Sequence, residues 1–266
     1  MNVLQRIMRA GPRVAVVRLQ GAISSSTRGA TLNDVTLAPI IEKAFRRGKP
    51  AAVALSVNSP GGSPVQSALI AARIRRLADE RKVPVIAFVE DVAASGGYWL
   101  ASAADEIWVD HSSIIGSIGV ISANFGFQDL IGRYGVERRV HTAGKSKSTL
   151  DPFQPEKPAD VKRLKAILEQ MHETFIGQVQ ARRGDKLADD PALFTGEFWT
   201  GTKAVELGLA DGIGHLVPMM KERFGDKVRF AQYGPRRSLW GRFGMNIAND
   251  ALDVIEERAA FARYGI

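Results

Sequence analysis

Val85-Ile86-Ala87-Phe88-Val89-Glu90-Asp91-Val92-Ala93-Ala94-Ser95-Gly96-Gly97-Tyr98-Trp99-Leu100 decides how this chain is read. Its first five residues are an unbroken apolar run, the pattern of a strand buried on both faces. A serine and two glycines follow, and an amphipathic helix opens at once. Glycines after a serine let the backbone bend sharply and bring bare N–H groups close to a reacting carbonyl. That suits acyl transfer. Taken alone, the same residues also describe a tight strand-to-helix turn with a capping serine.

Working outward, the same alternation repeats. Val14 to Leu19 reads as a strand ended by Gly21, and Leu37, Ile40, Ile41, Ala44 and Phe45 recur at helical spacing. Ala52 to Val57 is a second buried strand, closed by Asn58-Ser59-Pro60-Gly61-Gly62, and a helix from about Pro64 carries Ile70, Ile74 and Leu77. A short strand at Ile107-Trp108-Val109 follows the Ser95 helix. Strands and helices in this order predict βαβ units and a mainly parallel sheet with flanking helices, an α/β fold. A second, strand-rich portion is expected from Gly119 to about Thr142, with Val136 to His141 as one of its strands. A long helix over roughly Ala159 to Arg183 comes next, striped by Val161, Leu164, Leu168, Met171 and Phe175. Ala248, Leu252, Ile255, Ala259 and Ala262 also step at helical spacing, so a last amphipathic helix must dock on its own domain, a sister subunit or a lipid surface.

Composition narrows the function classes. The chain has 266 residues, enough for a large core in one or two domains. It has no cysteine, which excludes disulfides, thiolate zinc sites and cysteine nucleophiles. The net charge of +8 comes from short scattered groups such as Arg46-Arg47, Arg138-Arg139 and Arg182-Arg183. No aromatic residues interleave with them as a stacking platform requires, so no nucleic-acid partner is expected. Neither glycine loop has the spacing or the lysine of a nucleotide motif, and no cofactor or metal is expected. No window of about 20 residues is apolar and uncharged, and Met1 to Ala10 leads into no signal-peptide core. The expected setting is the cytoplasm, with at most peripheral membrane contact.

A serine hydroxyl needs a base. The four histidines, His111, His141, His172 and His215, have no acidic neighbours in a triad pattern. Lysine is the alternative, and it accepts a proton only when uncharged. Lys145 and Lys147 lie in a short segment of small residues that leaves room for a substrate, although taken alone they read as ordinary surface lysines. Ser59-Pro60-Gly61-Gly62 closes a buried strand, at the carboxyl end where ligands gather in parallel sheets. An N–H from Gly62 together with that of Gly96 could polarise a carbonyl oxygen, although Pro-Gly by itself marks a plain turn.

Together, Asn58 to Gly62, Ala94-Ser95-Gly96-Gly97-Tyr98, Ala103-Ala104-Asp105, Gly116-Ser117-Ile118-Gly119-Val120 and Gly144-Lys145-Ser146-Lys147 resemble the signal peptide peptidase A family. Phe198-Trp199-Thr200-Gly201, Lys203-Ala204 and Leu207 to Asp211 extend the match. The resemblance covers residues 12–217, between a basic segment, 1–11, and a strand and amphipathic helix in 218–266 that would serve docking or oligomerisation. It implies a Clp-protease/crotonase-like fold and a serine–lysine peptidase. Carried over, Ser95 is the nucleophile and Lys147 the general base, with Lys145 competing for that role. Ser117 orients the lysine, and the backbone N–H groups of Gly62 and Gly96 form the oxyanion hole. Short or unfolded peptides, signal-peptide remnants among them, would be the substrates of a homo-oligomer. A crotonase-type acyl-CoA enzyme and a non-catalytic scaffold share the architecture. The first would want carboxylates where Ser95 and Lys147 stand, and the second has little use for Ser95, Ser117 and Lys147 together.

Overall fold

The computed structural model describes residues 11–26, 31–144, 146–234 and 260–265. Lys145, the basic N-terminal segment up to Ala10 and most of the last expected helix lie outside the described residues. Two compact units form: the described residues up to Gly119 and from Phe175 onward, and Val120–Thr174.

In the first unit, β1 (Arg13–Gln20), β2 (Ala52–Ser59) and β3 (Val85–Ala94) pair in parallel at the centre of an eight-stranded sheet. Side chains alternate between its faces. Ala15, Val17, Leu55, Val57, Ala87 and Val89 belong to one core cluster, which α1 (Asp34–Arg46) and α2 (Pro64–Arg81) cover with Leu37, Ile41, Ile70 and Ile74. Val14, Val16, Ala54, Ile86 and Phe88 pack in a second cluster with Met220. Both faces are thus buried, which is why the strands read as continuous apolar runs.

Local chemistry sets the helix starts. Asn33 accepts from the Thr36 N–H at 2.9 Å ahead of α1. Ser63 caps α2, and Pro64 at its first position loses no needed hydrogen bond. After β3 the chain turns at Ser95 into the six-residue α3 (Gly96–Ala101), every residue of which is buried.

β3 is long enough to pair with two successive strands on one side. β4 (Glu106–Val109) lies along its first half and β5 (Ile114–Gly116) along its last three residues, both parallel. β6 (Phe198–Thr200) then adds antiparallel to β5, β7 (Gly212–Ile213) pairs with β4, and β8 (Arg229–Tyr233) closes the far edge on β1.

The second unit departs from the expected strands. Its described residues form α4 (Gln128–Arg133) and the start of α5 (Pro158–Arg183), and none between Val120 and Thr142 is in a strand. A strand needs a partner to receive its backbone groups. Val136 to His141 has none here, and Arg138 instead pairs with Asp151 at 3.0 Å. On α5 the expected stripe is buried only at Phe175, with burial continuing at Val179 and Arg183.

Candidate active site

The Ser95 turn is built by its neighbours in the sheet. Ala94 is in register with Gly116, and the Ser95 N–H donates to the Gly116 carbonyl at 2.8 Å. The Ser95 carbonyl accepts from Trp99 N–H at 3.1 Å and so starts α3. Between these two bonds Ser95 is held at φ 51° and ψ −123°. A side chain is rarely found there, and such strain is characteristic of a nucleophile presented on a strand-to-helix turn. Packing behind the turn fixes it. Trp99 stacks on Phe175 with centroids 4.9 Å apart, and the buried Tyr98 phenol donates to the Leu209 carbonyl at 2.8 Å. Burial pushes that phenol well above its usual range, so it stays a donor.

Pro60-Gly61-Gly62 approaches from β2. Gly61 takes φ +98°, and a β-carbon there would lie 2.7 Å from the Gly96 nitrogen and 2.8 Å from the Ser95 Cβ. The loop is clamped by an isolated bridge, in which Ile23 N–H donates to Gly61 O at 2.8 Å and Ser63 N–H to Ile23 O at 2.8 Å. Among the described residues, the N–H groups of Gly62 and Gly96 donate to no acceptor. Two unspent donors thus belong to backbone segments packed directly on the Ser95 turn.

Ser117 follows Gly116, also with a left-handed φ of 53°, and its N–H donates to Glu197 O at 2.6 Å. The structure therefore brings Ser95, Ser117, Gly62 and Gly96 together in the first unit. Lys147 belongs to the second, in a turn where its N–H donates to Gly144 O at 3.2 Å and its side chain is exposed. Of the histidines in the first unit, His111 faces Thr202 Oγ1 at 3.1 Å and His215 faces Asp110 at 3.4 Å. Among the described residues no group of three or more His, Asp or Glu could hold a metal ion.

Linear reading missed three contributors. Gly61, rather than Gly62, makes the close approach to Ser95. Glu197 fixes Ser117 through its carbonyl, which residue identity cannot signal. Tyr264 lies 147 positions from Ser117, yet its hydroxyl reaches the Ser117 Oγ at 3.3 Å.

Residues 78–223, which hold Ser95, Ser117 and Lys147, match peptidase family S49. The chain belongs to peptidase family S49. A protein of Synechocystis sp. with a protease name is 30% identical over 202 residues, covering 76% of this chain and 70% of that protein. The chloroplastic serine protease SPPA of Arabidopsis thaliana is 30% identical over 210 residues, 77% of this chain and 31% of that one. A Brucella melitensis protein named Na(+)/H(+) antiporter NhaA is 50% identical over 280 residues, 98% of this chain. The chain spans 38% of that relative's length. The chain is of the signal peptide peptidase A type that the motifs resembled, and it has the mainly parallel sheet with flanking helices expected from the sequence. Among the described residues no helix is long and apolar enough to cross a membrane.

Proposed function

We propose that this chain is a serine endopeptidase of the Ser-Lys dyad type acting on short or unfolded peptides. The observation that carries the reading is the Ser95 turn: a strained serine with two uncommitted backbone N–H groups, from Gly62 and Gly96, packed against it. In the first step the Ser95 Oγ attacks the scissile carbonyl while the Lys147 amine takes the hydroxyl proton. Charge developing on the carbonyl oxygen is received by the Gly62 and Gly96 N–H groups, and Ser117 orients the lysine. As the tetrahedral species collapses, the C–N bond breaks and the proton passes from Lys147 to the departing amine. Water then attacks the acyl-enzyme and gives a proton to Lys147; the acyl C–Oγ bond breaks, the proton passes from Lys147 to the Ser95 Oγ, and the hydroxyl and the uncharged amine are restored.

A lysine does this work only where desolvation keeps its amine uncharged. Lys147 is exposed in the single chain, so in this reading substrate or a second copy buries it. Assembly into a homo-oligomer is supported by the apolar side chains that the second unit leaves exposed, Phe125 at 78% and Tyr134 at 79% with Ile121, Leu130 and Val136 exposed as well. The antiporter name of the Brucella relative is not carried over, because the chain spans 38% of it and the matched family is a peptidase family. Ser95→Ala and Lys147→Ala should each abolish cleavage of a fluorogenic peptide with the fold intact. General base assistance alone is worth about 10²–10⁴ in rate. Undiminished turnover by purified Ser95→Ala protein would refute the reading.

A further inference from the structure

The β8 edge of the sheet carries a cleft that the peptidase chemistry does not use. In the strand order, β2 and β1 stand between β3, which delivers Ser95, and β8. Between β8 and α1 lies a cleft of about 940 Å³, within the size range of small-molecule sites. Arg13 and Arg18 of β1 line it together with Lys43 and Arg47 at the end of α1, and no acidic residue does.

Where arginines gather elsewhere in the first unit, carboxylates accompany them: Arg73, Arg75 and Arg76 each reach one at 2.7 Å. Among the described residues, none of the four cleft cations makes such a pair. Glu42 lines the adjoining hollow, but its carboxylate already faces Arg73 at 3.3 Å and Arg46 at 3.8 Å. The negative end of the α1 dipole accounts for Lys43 and Arg47. It does not account for two further arginines from β1, and four unmatched cations in one cleft repel one another.

One of the four is held in place. The Arg13 guanidinium donates to the Tyr233 hydroxyl at 2.6 Å, and it packs on Gly48, where a β-carbon would collide with its Nη1. A guanidinium fixed in this way offers its remaining N–H groups with little further loss of rotamer freedom. Arginine forks match phosphate oxygens, and lysine adds a point charge. A short polyphosphate chain carries several negative charges on a compact frame, so one such ligand answers all four cations at once. Pro39, Ile40 and Ala231 leave apolar surface in the same cleft for an organic part. We infer that the cleft between α1 and β8 binds a small molecule bearing a polyphosphate chain, held by Arg13, Arg18, Lys43 and Arg47. Such binding does not depend on the peptidase reading, and its test needs no cleavage assay.

Titration calorimetry of the full chain with sodium tripolyphosphate, in about 150 mM salt, reads the site. One ligand per chain is expected. Lys43→Gln combined with Arg47→Gln should weaken binding about 10-fold or more, the effect of losing charged hydrogen bonds. Tyr233→Phe removes no charge but frees Arg13, and should weaken binding about 2- to 10-fold. Lys162→Gln combined with Lys165→Gln, the same loss of charge on α5, should leave affinity unchanged. Tripolyphosphate should also raise the melting temperature of the wild-type protein and not that of the Lys43/Arg47 variant. No saturable binding up to about 1 mM, or equal weakening by the α5 variant, would overturn the proposal. Citrate binding as tightly as tripolyphosphate would overturn phosphate as the recognised group. Binding to phosphatidylglycerol vesicles with none of free tripolyphosphate would overturn a small ligand and give the cations to a lipid surface.

Discussion

Gly61→Ala isolates the contribution of the glycine loop to the Ser95 turn. A β-carbon at this position would meet the Gly96 nitrogen at 2.7 Å, the Ala94 carbonyl oxygen at 2.8 Å and the Ser95 Cβ at 2.8 Å. None of these is the far end of a flexible side chain, so the loop itself must retreat by roughly half an ångström or more to restore ordinary contact. It carries the Gly62 N–H with it, away from the Gly96 N–H. Losing one such donor is worth about 10²–10³ in kcat, and a misplacement near 1 Å has a comparable effect. Stability changes less: alanine at φ +98° is strained by about 1–2 kcal/mol, a fall in melting temperature of a few degrees. The assay is steady-state cleavage of a fluorogenic peptide beside a thermal melt of the same preparation. We expect kcat to drop at least 100-fold with KM nearly unchanged. Wild-type kcat in a folded Gly61→Ala protein would refute the claim that this loop holds an oxyanion donor in place.

Further outcomes concern what holds the site. Asp211 accepts from the Ile107 N–H and pairs with Lys186 and with the buried Arg183 at 2.7 Å, so Asp211→Ala leaves a guanidinium that is 4% exposed without its carboxylate. The expected destabilisation is about 3–5 kcal/mol, on the order of 10 °C in a thermal melt; a shift within 2 °C would contradict it. Burial pushes the Asp211 carboxyl up, but Arg183, Lys186 and the Ile107 N–H outweigh it and hold the group below its ordinary value. Hydrogen bonding from Arg73 lowers Asp34 in the same sense. A carboxylate lowered on folding stabilises fully above its unfolded value, near pH 4, and loses that contribution as pH falls through the folded value. Melting temperature should therefore hold from pH 7 to about 5 and decline below about 4, less steeply in Asp211→Asn. Tyr98→Phe strands the Leu209 carbonyl behind the Ser95 turn and should lower stability by about 1–3 kcal/mol, read from a urea titration.

The central sheet was legible because β1, β2 and β3 are buried on both faces and bounded by glycine turns, so run length and punctuation coincide with the elements. β5, β6 and β7 were not. They are two or three residues long and exist only because β3, β4 and β5 offer unpaired edges to them. Val136 to His141 misled because β-branched residues flanked by charges mimic a strand, while strand formation depends on a partner that local sequence does not encode. Within the site, Ser95 and the β2 glycines stood out at the ends of strands that turned out to be neighbours, whereas Ser117, at the end of the three-residue β5, was reached only through the family resemblance. Gly61's approach and Tyr264's contact depend on tertiary juxtaposition, and the backbone carbonyl of Glu197 carries no side-chain signature at all.

Covalent labelling tests the central claim most directly. A fluorophosphonate probe, followed by intact-mass measurement and mapping of the adduct, reads whether the hydroxyl at the β3 turn is an activated nucleophile. The account predicts one adduct per chain, on Ser95, formed much more slowly in Lys147→Ala and absent in Ser95→Ala. Active protein that turns over peptide while Ser95 stays unmodified, or labels at the same rate without Lys147, would contradict it.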